Sequence, residues 1–158
     1  KMVIQGLKYN PLNSTYPDNE IFVSNDNIPL QSYKAERHIW EYVVTDSDVE
    51  RKFVEELDGA DEVVVYAKLP DRFQIPTPFG GYNPDWAIAF NKDKVRQIYF
   101  VAETKGSMLD ADLKAKEKSK IESAKKFFAT LNAETQSMGD TVQYSVIDSF
   151  SSLMKLVH

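Results

Sequence analysis

At 158 residues the chain is long enough for one domain with a buried core and too short for two. Hydrophobic residues make up 42% and aromatics 12%, which excludes a disordered chain, and the net charge of −5 argues against a partner gripped mainly by non-specific positive charge. There is no cysteine, and the only histidines are His38 and His158, which excludes disulfides, cysteine nucleophiles and zinc sites built on thiolate or histidine clusters.

Residues 1–38 alternate short apolar pieces (Met2 to Ile4, Ile21 to Val23) with turn signals such as Asn10-Pro11 and Asn25-Asp26-Asn27. They read as a strand-and-loop extension packed on a core formed by residues 39–158. Residues 39–44 have strand composition. A helix is expected over 48–58, with Ser47 as N-cap, Glu50 completing a capping box, an apolar side of Val49, Phe53, Val54 and Leu57, and Gly59 as C-cap. Residues 63–69 are β-branched and aromatic and read as a central strand.

The stretch from Pro76 to Pro84 holds three prolines and two glycines and reads as a rigid turn. It leads into a strand opening at Asp85. A short polar link, Asn91 to Lys94, joins that strand to another over 97–104, which predicts an antiparallel hairpin. A long helix follows from Asp110 to Leu131. Leu113, Glu117, Ile121, Ala124, Phe128 and Leu131 share one face of it. A strand over 142–147 and a short helix over 149–156 close the chain. A helix of that length between two strands suits a parallel crossover. The expected fold class is therefore α/β, a mixed central sheet flanked by helices.

Glu103 and Lys105 are one residue apart at a strand end, so the two-residue period puts them on one face. In the predicted hairpin Asp85 starts the strand opposite, beside Glu103. Two neighbouring carboxylates repel unless a cation neutralises them, and Mg²⁺ favours an all-oxygen donor set. Lys105 would place a positive charge where negative charge develops on a phosphoryl group. Together these residues point to metal-dependent phosphodiester hydrolysis.

Glu117, a carboxylate on an apolar stripe, needs a partner, with Lys120 one turn later or the metal region as the two options. Glu50 either reaches the metal or only caps its helix. Lys68 lies inside an apolar strand and is a further supporting candidate. Lys114, Lys116, Lys118, Lys125 and Lys126 form either a solvated face or a phosphate contact. Tyr82 and Trp86 either pack the core or touch a nucleotide, and His38 reads as structural. Gly80-Gly81 lacks the Lys and Ser or Thr of a phosphate-binding loop. No apolar run reaches the roughly 18 residues of a membrane span. The chain opens on Lys1 rather than Met and reads as a piece of a longer protein.

Asn83-Pro84-Asp85 followed by Glu103-Thr104-Lys105 resembles the PD-(D/E)xK nuclease superfamily. The longer strings Tyr66-Ala67-Lys68-Leu69-Pro70, Ile75 through Trp86, and Phe100 through Gly106 are similar to the C-terminal endonuclease domain of type III restriction enzyme Res subunits. Glu117 to Ile121 with Phe127-Phe128 fits the same family, and the likeness spans roughly residues 40–130.

The resemblance implies a restriction-endonuclease-like fold and cleavage of double-stranded DNA with Mg²⁺, for which Mn²⁺ can substitute. Asp85, Glu103, the Thr104 carbonyl and Glu50 would be metal ligands, and Lys105 the catalytic lysine. It also implies a cytoplasmic protein with a helicase-like ATPase motor and a methyltransferase subunit as partners. The alternatives are a non-catalytic DNA-binding or assembly module on the same fold, or a repair nuclease of the superfamily.

Overall fold

A computed structural model describes residues 32–91, 98–104, 115–135 and 141–158. The expected strands at Met2 to Ile4 and Ile21 to Val23 lie outside these residues, as do Leu113 and Lys114. The described elements run β1 (Ser32–Lys34), β2 (Tyr42–Val44), α1 (Asp48–Gly59), β3 (Val63–Lys68), β4 (Trp86–Phe90), β5 (Ile98–Thr104), α2 (Ala115–Thr135), β6 (Thr141–Ile147) and α3 (Phe150–Val157). β1 and β2 form a small antiparallel pair. The main sheet has the order β3-β4-β5-β6. Its first three strands are antiparallel, and β6 lies parallel to β5 across the α2 crossover.

Each face of the sheet has its own core. On one face Phe53, Val54 and Leu57 of α1 and Leu153 and Val157 of α3 cover Val63, Tyr66, Trp86, Ile88, Phe90 and Ile147. On the other, Ile121, Ala124 and Phe128 of α2 pack with Ile75, Tyr82 and the half-buried Val142, Tyr144 and Val146. The alternation along β4 makes this division: Trp86, Ile88 and Phe90 are buried, and Ala87 and Ala89 between them are half-buried. The expected α/β fold with a mixed, helix-flanked sheet is the fold observed.

Three local expectations are corrected. β3 is an edge strand of the main sheet, with Val64 57% exposed. Its β-branched composition reported strand propensity, not centrality. The outer side of β3 is met by residues 37–39: Tyr66 N–H donates to the Arg37 carbonyl at 3.0 Å, and Ile39 N–H to the Tyr66 carbonyl at 3.1 Å. This diversion explains the second correction, that the strand expected over 39–44 shrinks to Tyr42–Val44, with Ile39 and Trp40 exposed.

Third, α1 runs through Gly59 and is capped by Ala60 in an extended conformation, whose N–H bonds to the Leu57 carbonyl at 3.3 Å. The chain turns away without a left-handed residue, so no glycine is needed there. Val49 stays 44% exposed in the first turn of α1, ahead of the residues that reach the sheet.

Candidate active site

The segment between β3 and β4 is held by a dense set of local bonds. Ile75 and Tyr82 exchange both backbone hydrogen bonds, at 2.7 and 2.9 Å. Between them Gly80 adopts φ +103°, a conformation that favours glycine, and the Thr77 hydroxyl donates to the Gly80 carbonyl at 2.5 Å. The Asn83 side-chain amide donates to the carbonyls of Pro70 at 3.0 Å and Phe73 at 2.7 Å. The Tyr82 hydroxyl hydrogen-bonds the Tyr144 hydroxyl of β6. Pro84 is fully buried, and the Asp85 carbonyl accepts from Leu69 N–H at 2.8 Å. The turn signals in the sequence correspond to a folded, anchored turn that delivers Asp85 to the start of β4.

The register of β4 and β5 decides what Asp85 meets. Its end pair is Trp86 with Ala102, and Asp85 and Glu103 are the next residues outward on either side of it. Glu103 is in register with Val146, which packs in the α2 core. Thr104 is the last residue of β5, in register with Ile147. Lys105 lies outside the described residues. Among the described residues no three Asp, Glu or His side chains converge as a metal cluster, so the Asp85–Glu103 juxtaposition rests on backbone register.

α2 contributes two residues on the same side. Glu117 is half-buried in its first turn. Lys120 Nζ donates to the Gly81 carbonyl at 2.8 Å, which ties the helix to the turn ahead of Asp85. Of the lysines on this helix, Lys125 is exposed to solvent.

Glu50 and Lys68 belong to a different constellation. Lys68 is in register with Trp86, whose ring packs against Phe53 of α1, so both occupy the α1 face. There Lys68 Nζ reaches Asp46 at 2.5 Å, Glu50 at 2.9 Å and the Val44 carbonyl at 3.1 Å. Burial works to lower the Lys68 pKa, but the hydrogen bonds and charges of Asp46 and Glu50 outweigh it, and the net shift is upward.

The helix cap forms as expected at one arm, with the Ser47 hydroxyl accepting from Glu50 N–H at 3.2 Å. The other arm lands one residue upstream, the Glu50 carboxylate accepting from Asp46 N–H at 2.9 Å. The structure thus commits Glu50 to Lys68 on the α1 face, while the β4–β5 ladder ends beside Asp85 and Glu103.

His38 is structural, as its neighbours suggested. Its Nε2 accepts from the Lys68 backbone N–H at 3.0 Å, and its Nδ1 lies 3.1 Å from both the carbonyl and the N–H of Trp40, the carbonyl accepting when Nδ1 carries the ring proton. Burial lowers its pKa, against the opposing pull of the Trp40 bond and the Asp58 charge. Tyr82 and Trp86 are both buried and pack the two cores.

Sequence reasoning missed the Lys120–Gly81 bond, the Asn83 anchor and the role of Asp46. Only Asp46 left a signal: a lysine inside an apolar strand needs carboxylates, and an acid beside the N-cap is a natural supplier.

A family model described as an endonuclease domain matches residues 36–150. No curated protein and no solved structure matches the chain. The match covers well over half of the chain, which therefore belongs to the endonuclease-domain family, and its fold is consistent with a restriction-endonuclease-like domain.

Proposed function

We propose that this member of the endonuclease-domain family is a Mg²⁺-dependent nuclease that hydrolyses phosphodiester bonds of double-stranded DNA. The observation that supports the reading is the β4–β5 ladder, whose end pair, Trp86 with Ala102, adjoins Asp85 and Glu103 after the anchored turn. Two carboxylates and the Thr104 carbonyl form an oxygen-only donor set suited to a small hard cation. These residues would hold the ion, which supplies Lewis-acid stabilisation of the phosphoryl oxygens. By the two-residue period of a strand Lys105 is expected on the face of Glu103, where it would set a positive charge toward the reacting phosphate. We assign Glu50 to the fold, because Lys68 and the Asp46 N–H already occupy its carboxylate.

The strings around these residues favour the endonuclease module of a type III restriction enzyme. In that setting a cytoplasmic ATP-dependent motor region and a methyltransferase subunit bring the module to DNA. The net charge of −5 agrees with a domain that depends on other parts for its grip. The test is cleavage of supercoiled duplex DNA with Mg²⁺, with Mn²⁺ and with chelator. Wild type is expected to nick or linearise the DNA only with the metal, and Lys105→Ala to lose this while keeping its melting temperature. Equal cleavage by both proteins, or metal-independent cleavage, overturns the assignment.

A further inference from the structure

The net charge of −5 is unevenly spread. The stretch from Asp46 to Glu62, which holds α1, carries eight acids and two bases, whereas α2 carries five lysines and three glutamates. α1 and α2 cover opposite faces of the sheet. A polyanion is repelled from the first face and drawn to the second, because the summed field of a surface steers a charged partner before any contact forms.

Lys120 is the lysine of α2 whose charge stands at the turn ahead of Asp85. Lys68, on the opposite face, is neutralised by two carboxylates. Lys120 pairs with no acid among the described residues. The sequence offers Glu117, one turn back, yet the ammonium reaches the Gly81 carbonyl at 2.8 Å. A neutral carbonyl takes one of its three N–H donors and leaves the positive charge in place. The bond adds little to the turn, which the Ile75–Tyr82 pair already closes at its base. What it does is hold the ammonium there.

The turn beneath that ammonium is bare. Gly80 and Gly81 are exposed, and among the described residues a Cβ on Gly80 would meet only the Lys120 ammonium, at 3.9 Å. Glycine lets a ligand approach the backbone closely. We propose that Lys120 receives a backbone phosphate of the DNA over the Gly80–Gly81 turn, so that the duplex meets the protein on the α2 face. The inference rests on the DNA reading above and adds to it a substrate contact and a direction of approach.

Binding of a fluorescein-labelled duplex to the whole chain, read by anisotropy in chelator over a series of salt concentrations, tests this without cleavage or metal. Losing one phosphate contact lowers the slope of log affinity against log salt by about 0.9. Lys120→Met should show that loss, so its deficit against wild type at about 50 mM salt should shrink about threefold by about 200 mM. Lys120→Arg keeps the charge and should keep the wild-type slope. Lys52→Met makes the same change in net charge on the α1 side and should keep it too. If the Met variant of Lys120 does not fold, Lys120→Gln takes its place. A wild-type slope in the Lys120 variant, or an equal loss in Lys52→Met, overturns the contact and leaves the nuclease reading standing. No binding of the duplex by wild type at about 50 mM salt overturns the DNA reading and this inference with it.

Discussion

The two faces of the sheet treat charge in opposite ways within one residue of each other. On the α1 face the last residue of β3, Lys68, is neutralised inside the fold by Asp46, Glu50 and the Val44 carbonyl. One position further along, Leu69 N–H bonds to the Asp85 carbonyl, beside the end of the β4–β5 ladder. One face closes its electrostatics with a cation from the chain. The other carries Asp85 at the end of a turn held by Asn83 and Pro84, in the site proposed to take its cation from outside. Charge satisfied within the chain serves stability, whereas the proposed metal site keeps its carboxylates for a cation from outside.

The largest expected effect breaks the α2 side of this contrast. Asp85→Asn and Glu103→Gln should each lower metal-dependent cleavage by about 10³-fold, the scale of losing a principal electrostatic element of a site. Both variants should still melt cooperatively, since Asp85 stands half-buried outside the two cores. Cleavage assays paired with thermal melts check both halves. A variant that keeps its cleavage rate but melts early would assign these acids to the fold.

The α1 side should behave in reverse. Lys68→Met leaves Glu50, only partly screened by solvent, without its cation. With side-chain exposures of 23% for Lys68 and 17% for Glu50, the full penalty of a broken buried pair is not expected. A loss of about 2 kcal/mol in denaturant unfolding is the expected figure, with Mn²⁺ affinity unchanged. If Glu50 were a metal ligand, freeing it from Lys68 would instead tighten Mn²⁺ binding. Ser47→Ala should cost about 1 kcal/mol through the lost cap to Glu50 N–H, again without touching metal affinity.

The same contrast marks what the sequence disclosed. Local patterns carried the main elements, because period, caps and turn residues act over a few positions: Ser47 before α1, the prolines and glycines before Asp85, the apolar stripe of α2. The antiparallel pairing of β4 with β5 was legible too, since a short link between two strands leaves little choice of pairing.

Contacts between distant segments were not legible. Nothing near Lys68 announces Asp46, and nothing near Lys120 announces Gly81, because each pair is set only when α1 and α2 dock on the sheet. The edge position of β3 was hidden for the same reason: it depends on residues 37–39 folding back against Tyr66 rather than continuing toward β2. Glu50 was ambiguous because a capping acid and a metal-binding acid look alike until the partner lysine is placed.

The smallest effect, and the finest test of the α1 face, is the pH response of His38. Its neutral ring holds the backbone of Lys68 through Nε2 while Asp46 and Glu50 hold the side chain, so both ends of that lysine are pinned. A protonated ring could not accept from Lys68 N–H, and burial already lowers the pKa of His38 below its ordinary value. A histidine with a depressed folded pKa takes up its proton more readily in the unfolded chain. Its contribution is therefore complete above about pH 6.5 and is lost as pH falls from there through the folded pKa. Melting temperatures between pH 7.5 and pH 5 should decline on acidification in wild type, and the decline should be shallower in His38→Gln, which has no ring to titrate. Parallel slopes in the two proteins would show that the edge of β3 does not depend on the neutral imidazole, and would leave Lys68 pinned by its carboxylates alone.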